Sequence, residues 1–101
     1  MQMKYKVLIQ NVAKEDFRIA KSFYKNTLVK TLDKKFAKEI KFTIANKIAI
    51  YPTVFAIRYK NVRIAYTYKF PYAVHFFIEE LNKTIFIIAI IHTKRLIKKI
   101  D

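Results

Sequence analysis

Cysteine is absent from this chain of 101 residues, so disulfides, thiolate zinc sites and cysteine nucleophiles are excluded at the outset. Two histidines without a cysteine cannot build a common structural metal site, and neither a metal nor a cofactor is expected. Glycine is missing too, so any turn that needs a positive φ must use another residue. Asn82, in the charged connector Glu79 to Lys83, is the best placed. Long apolar runs are also lacking: the longest, Ile85 to Ile91, falls far short of the roughly 20 residues that cross a bilayer. Met1 to Gln10 alternates charged with apolar residues and has no signal-peptide core. A soluble cytoplasmic protein with no membrane partner is therefore expected.

Acidic residues are scarce. Seven Asp and Glu face 21 Lys and Arg, a net charge of +14, which on so small a surface attracts polyanions such as nucleic acid or acidic proteins. An AT-rich genome would also raise the lysine content, so charge does not identify the partner. Apolar residues make up 53% of the chain and aromatics 16%, enough for a core and too much for a disordered segment. The length suits one domain, residues 1–101, with no internal repeat or linker.

Periodicity divides the chain in two. Tyr5, Val7 and Ile9 alternate with Lys4, Lys6 and Leu8, predicting a strand over residues 3–10 that ends at Asn11, a helix-capping residue type. Ala13, Phe17, Ala20 and Tyr24 then form one helical stripe ending near Lys25, with Glu15 and Asp16 assigned to the first turn, where the helix dipole favours negative charge. Asn26 and Thr27 break this helix. Leu32, Phe36, Ile40, Ile44 and Ile48 recur mainly every four residues and predict a second helix over 32–48, with Pro52 marking the exit. Two such helices joined by a few residues form an antiparallel hairpin.

Beyond Pro52 the period is two. Val62, Ile64, Tyr66 and Tyr68 alternate with Arg63, Ala65, Thr67 and Lys69, and Tyr72, Val74, Phe76 and Ile78 continue after a junction at Phe70 and Pro71. Thr84 to His92 is apolar on both faces and is expected to be an interior strand, so that Ile88→Asp should prevent folding. Thr93 to Asp101, with Lys94, Arg95, Lys98 and Lys99, reads as a basic tail or short helix. The resulting plan is α+β, in the order strand, helix, helix and three antiparallel strands, with the helices covering one face of the sheet. If they cover Val62, Ile64 and Tyr66, then Arg63 and Lys69 point to the open face. The run Tyr66, Tyr68, Phe70 and Tyr72 is assigned to core packing, although its interleaved cations also suit base stacking.

Several of these segments together resemble the RelE/ParE toxins: Val62-Arg63-Ile64-Ala65, Lys69-Phe70-Pro71-Tyr72, the apolar strand that follows, and the ending His92-Thr93-Lys94-Arg95. The stripe Ala13, Phe17, Ala20 and Tyr24, and Pro52 before Phe55, extend the likeness over nearly the whole chain. The resemblance implies two helices on a small antiparallel sheet and the growth-arresting toxin of a toxin-antitoxin pair. It also implies a cognate antitoxin as partner, a toxin-antitoxin hetero-oligomer and a role such as plasmid stabilisation. RelE-like members cleave mRNA in the ribosome, whereas ParE-like members inhibit DNA gyrase.

Metal-independent cleavage through a ribose 2'-OH needs a base, an acid and cations at the phosphate, and Arg63, Lys69 and His92 offer those chemical types. Arg63, Lys69, Tyr72, Lys94 and Arg95 are the expected contacts to the target or to nucleic acid. His75, in mid-strand, is read as structural. Many relatives carry Arg directly after Phe-Pro-Tyr, where this chain has Ala73, and alanine cannot stabilise a phosphorane. The resemblance therefore leans to the ParE-like side. A ribosome-dependent endoribonuclease and a nontoxic nucleic-acid-binding module stay open beside it.

Overall fold

A computed structural model describes residues 4–94. The expected tail beyond Lys94, Arg95 included, lies outside the described residues. Strand β1 (Lys6–Ile9) leads into α1 (Asn11–Lys25) and α2 (Leu32–Phe42), and α2 widens into a π-helical segment, Thr43–Ile48. After a 3-10 turn at Pro52–Val54 come β2 (Ile57–Tyr59), β3 (Val62–Tyr66), β4 (Tyr72–Glu79) and β5 (Thr84–His92). The five strands form one sheet in the order β1-β5-β4-β3-β2, antiparallel except for β1, which runs parallel to β5. The α+β plan holds, with β2 as an added short edge strand. Ile57, Arg58 and Tyr59 are all exposed, so β2 has no inward period to reveal it in the sequence.

Helix α1 starts one residue earlier than the sequence suggests: Gln10 is the cap, and Asn11 is the first helical residue. Glu15 and Asp16 therefore sit in the second turn, beyond the reach of the helix dipole, and each serves another group. Glu15 pairs with Arg18 across one turn. Asp16 reaches the sheet, where its Oδ2 accepts the Ile90 N–H at 3.0 Å.

The widening of α2 follows from its sequence. At 3.6 residues per turn, apolar residues spaced by four drift around a helix by about 40° per step. The stripe Leu32, Phe36, Ile40, Ile44, Ile48 would wind off the sheet if the helix stayed regular. A π segment holds more residues per turn and turns the stripe back. Ile48 is consequently fully buried, and Ile44 packs against the core.

The core lies between the helix hairpin and one sheet face. Ala13, Ala20, Tyr24, Phe36, Ile40 and Ile48 from the helices meet Ala65, Val74, Phe76, Ile85, Ile87 and Ile90 from the strands. A bulge makes this possible in β5. His75 pairs with Ala89 but Phe76 pairs with Ile87, so Ile88 is the extra residue and Ile87 and Ile90 both face the helices. β5 is interior, flanked by β1 and β4, as its two apolar faces suggested. Ile88 itself is only half-buried, and Ile87 is the fully buried side chain.

Two expectations about β3 are corrected. Arg63 pairs directly opposite Phe76, so it shares the helix side with Ala65, while Val62, Ile64 and Tyr66 face away. Small Ala65 fits under the helices, and the Arg63 guanidinium is satisfied there by backbone carbonyls, donating from Nη1 to the Phe55 oxygen at 2.6 Å. The aromatic run also divides. Phe70 and Tyr72 are in the core, whereas Tyr66 is 49% and Tyr68 86% exposed. Asn82 does not take the left-handed conformation: its amide bonds to Glu79, and Lys83 and Lys60 adopt φ of 49°.

On the face away from the helices, Tyr59 extends from β2 across β3 so that its hydroxyl meets His75 Nδ1 at 2.8 Å. His75 is buried, and this bond gives it the structural role read from the sequence. Burial raises the Tyr59 phenol above its ordinary value, and burial together with Tyr72 raises that of Tyr24. Folding thus favours the protonated phenols. Their contribution is fully present below about pH 10 and is lost as pH rises through the raised values, because the unfolded chain ionises first.

Two predictions follow from this packing. Ile87→Asp should abolish cooperative urea unfolding followed by circular dichroism, because it places an unpaired charge in the core. Ile88→Asp, at the half-buried bulge, should be milder, and equal damage from both would contradict the bulge register. Tyr59→Phe should cost about 1–3 kcal/mol at neutral pH, since buried His75 loses its phenol partner. The same variant should flatten the decline of the urea midpoint above about pH 10, and an unchanged alkaline limb would contradict the role given to Tyr59.

Candidate functional site

Tyr72 opens β4 and His92 closes β5, and the register sets them directly opposite each other, with their rings edge to face at 5.2 Å. Local backbone bonds fix this end of the sheet. The Thr67 N–H donates to the Tyr72 oxygen, the Tyr72 N–H to the Phe70 oxygen, and the Thr93 N–H to the Pro71 oxygen. Beside the pair lies a cleft of about 210 Å³ lined by Asp16, Ile19, Ala20 and Phe23 of α1 and by Tyr72, Ile90 and His92. Phe23 is largely exposed at its rim.

The cleft thus joins a carboxylate, a phenol and an imidazole, although not all are free to react. The carboxylate of Asp16 is engaged by the Ile90 N–H. His92 Nδ1 accepts the Lys94 N–H at 3.2 Å, which in the neutral ring leaves the proton on Nε2. That tautomer can donate a hydrogen bond from Nε2. Tyr72 is wedged against Phe36 and Tyr24, so its ring is held rigidly. Asp16 is the site residue that sequence reasoning missed. Its signal was present: an acidic residue three positions after Ala13 and four before Ala20 lies on the inward stripe, where a carboxylate needs a partner.

The structure brings together some of the residues assigned from sequence and separates others. Tyr72 and His92 form the pair, and Lys94 is exposed just beyond it. Lys69 is at the same end of the sheet, exposed on the α2 side, and its N–H donates to Glu39 Oε2 at 2.7 Å. Arg63 is elsewhere. It lies level with Phe76, four residues or about 13 Å along the sheet from Tyr72, and on the far side of β4 from His92. Its guanidinium faces the helix side and holds the Phe55 and Thr53 carbonyls, a correction to the expected open-face position. Ala73 is fully buried on the face away from the helices. Among the described residues, no three His, Asp or Glu side chains converge as a metal set, and no helix is long and apolar enough to cross a membrane.

No protein-family profile matches the sequence, and no curated protein matches it significantly. Solved structures do match. A chain of the chromosomal ParDE TA system from P. aeruginosa superposes with a TM-score of 0.73 at 16% identity, covering 88% of this chain and 96% of that one. A chain of the toxin-antitoxin complex RelBE2 from Mycobacterium tuberculosis superposes with a TM-score of 0.64 at 14% identity, covering 91% and 94%. The helix hairpin packed on a five-stranded sheet, matched along nearly the full length of both chains, gives this protein the RelE/ParE fold.

Proposed function

We propose that this chain is the toxin of a toxin-antitoxin pair, that it arrests growth by binding DNA gyrase, and that a cognate antitoxin neutralises it. The observation that carries this reading is the near-complete structural likeness to a chain of a ParDE system. The net charge of +14 adds to it, since such a surface draws acidic partners. Gyrase is favoured over RNA cleavage because Arg63, the arginine assigned to the phosphate, lies away from the Tyr72 and His92 pair. Stabilising a phosphorane requires a cation in contact with the phosphate that the general acid or base serves. Arg63 is about 13 Å along the sheet from the Tyr72 and His92 level and is engaged by backbone carbonyls. Position 73 is a buried alanine. The contacts to the target are assigned to the exposed end of the sheet around Tyr72, His92, Lys94 and Lys69, with Arg95 following in sequence.

One observation favours a second reading. An imidazole that presents its Nε2–H beside a phenol, followed directly by Lys94, suits a ribosome-dependent, metal-independent endoribonuclease in which His92 donates a hydrogen bond to a phosphate oxygen. The purified protein decides between them. Under the gyrase reading it inhibits supercoiling of relaxed plasmid and leaves mRNA on translating ribosomes uncut by primer extension. Unaffected supercoiling, with codon-position cuts that vanish in His92→Ala, would replace it with the nuclease reading.

A further inference from the structure

α2, the segment after it and the loop between β3 and β4 line a second concavity of about 680 Å³, with Phe70 in its wall. Lys35, Lys38, Lys47 and Lys69 line it, and Glu39 is the one acidic residue among its walls. The Glu39 carboxylate is turned to the Lys69 N–H and so is partly spent on the protein's own backbone. Two aromatic rings stand in this ring of lysines with their surfaces in water: Tyr68 is 86% exposed and Phe42 53% exposed.

We infer that this groove binds single-stranded nucleic acid, with lysines against the phosphates and bases stacked on Tyr68 and Phe42. Folding does not account for these rings. Tyr68 neither packs in the core nor belongs to a strand, whereas Phe70, two residues on, is buried. Exposed aromatic faces set among cations are what sequence-tolerant recognition of unpaired bases uses, since every base offers a π-face. An acidic peptide would satisfy the lysines but has no need of a flat ring in water. Lysine, as a point charge on a flexible stem, suits phosphates presented in no fixed geometry. The inference does not depend on gyrase being the target, and oligonucleotide binding is measured without growth, gyrase or ribosomes.

The test is fluorescence anisotropy with labelled oligo-dT and oligo-U of about 12 nucleotides, a length one small domain can hold, beside a labelled poly-glutamate peptide. Three variants are compared with the parent, each checked by thermal melting: Tyr68→Ala, the triple Lys35→Gln, Lys38→Gln, Lys47→Gln, and a control triple on α1, Lys14→Gln, Lys21→Gln, Lys25→Gln. Tyr68→Ala should weaken oligonucleotide binding about tenfold, the loss of one stacked base. The groove triple should make the slope of log affinity against log salt less negative by about 2, at roughly 0.7 per phosphate contact. The α1 triple should change that slope much less. Equal losses from the two triples would overturn the proposal in favour of unlocalised charge attraction. Poly-glutamate bound as tightly as the oligonucleotides, with Tyr68→Ala inert on both, would overturn it in favour of an acidic protein segment.

Discussion

The Phe36 ring lies among those of Phe17, Tyr24, Phe70 and Tyr72, with centroids 5.0 to 5.8 Å away, and this contact pins the helix hairpin to one end of the sheet. Such pairs contribute beyond the area they bury, by about 0.5–1.5 kcal/mol each. Position counts for more than energy here. Phe36 brings α2, Tyr24 brings α1, and Phe70 and Tyr72 fix the start of β4, so one cluster sets the spacing of three elements. Tyr72 of this cluster lines the cleft beside α1, and Phe70 lines the groove beside α2. Their walls are consequently held by the same packing, although their chemistries differ: a carboxylate, phenol and imidazole in one, lysines and exposed aromatics in the other.

A second constraint is the bulge at Ile88. A strand apolar on both faces can pair in two registers, and the bulge selects one by turning Ile87 and Ile90 to the same side. That choice propagates outward. It aligns Tyr72 with His92 and seats the Ile90 N–H at the end of the Asp16 side chain. The pairing of β4 with β3 then turns Arg63 to the helix side, where it braces the turn before β2 instead of meeting solvent with the other cations.

Much of this was legible in the sequence, where burial imposes a period. The stripes of α1 and α2, the alternation of β4 and the two apolar faces of β5 gave the order and layers of the fold. β2 was not legible, because a three-residue exposed edge leaves no periodic trace. The face of β3 was misread because Val62, Ile64 and Tyr66 look like an inward set, while the side that packs under the helices carries Arg63, Ala65 and Thr67. Alternation shows that two faces differ without saying which one a neighbouring strand turns inward. Tyr72, His92 and Lys94 were singled out because they flank strand ends, and the structure places Tyr72 directly opposite His92. Asp16 was overlooked because its partner is a backbone N–H 74 residues away in the chain. The separate standing of Tyr68 depended on a loop whose direction no local pattern encodes.

The fold, the net charge of +14 and the Tyr72 and His92 end of the sheet are the features from which we propose a toxin. The claim that joins them is that the folded chain stops growth. The most direct measurement is the count of viable bacterial cells after induction from a tightly repressed promoter, with the folded protein confirmed in the lysate and Ile87→Asp induced in parallel. The account predicts that viability collapses with the native chain and that the unfolded variant is harmless. Undiminished colony counts in cells holding the folded native chain would contradict it.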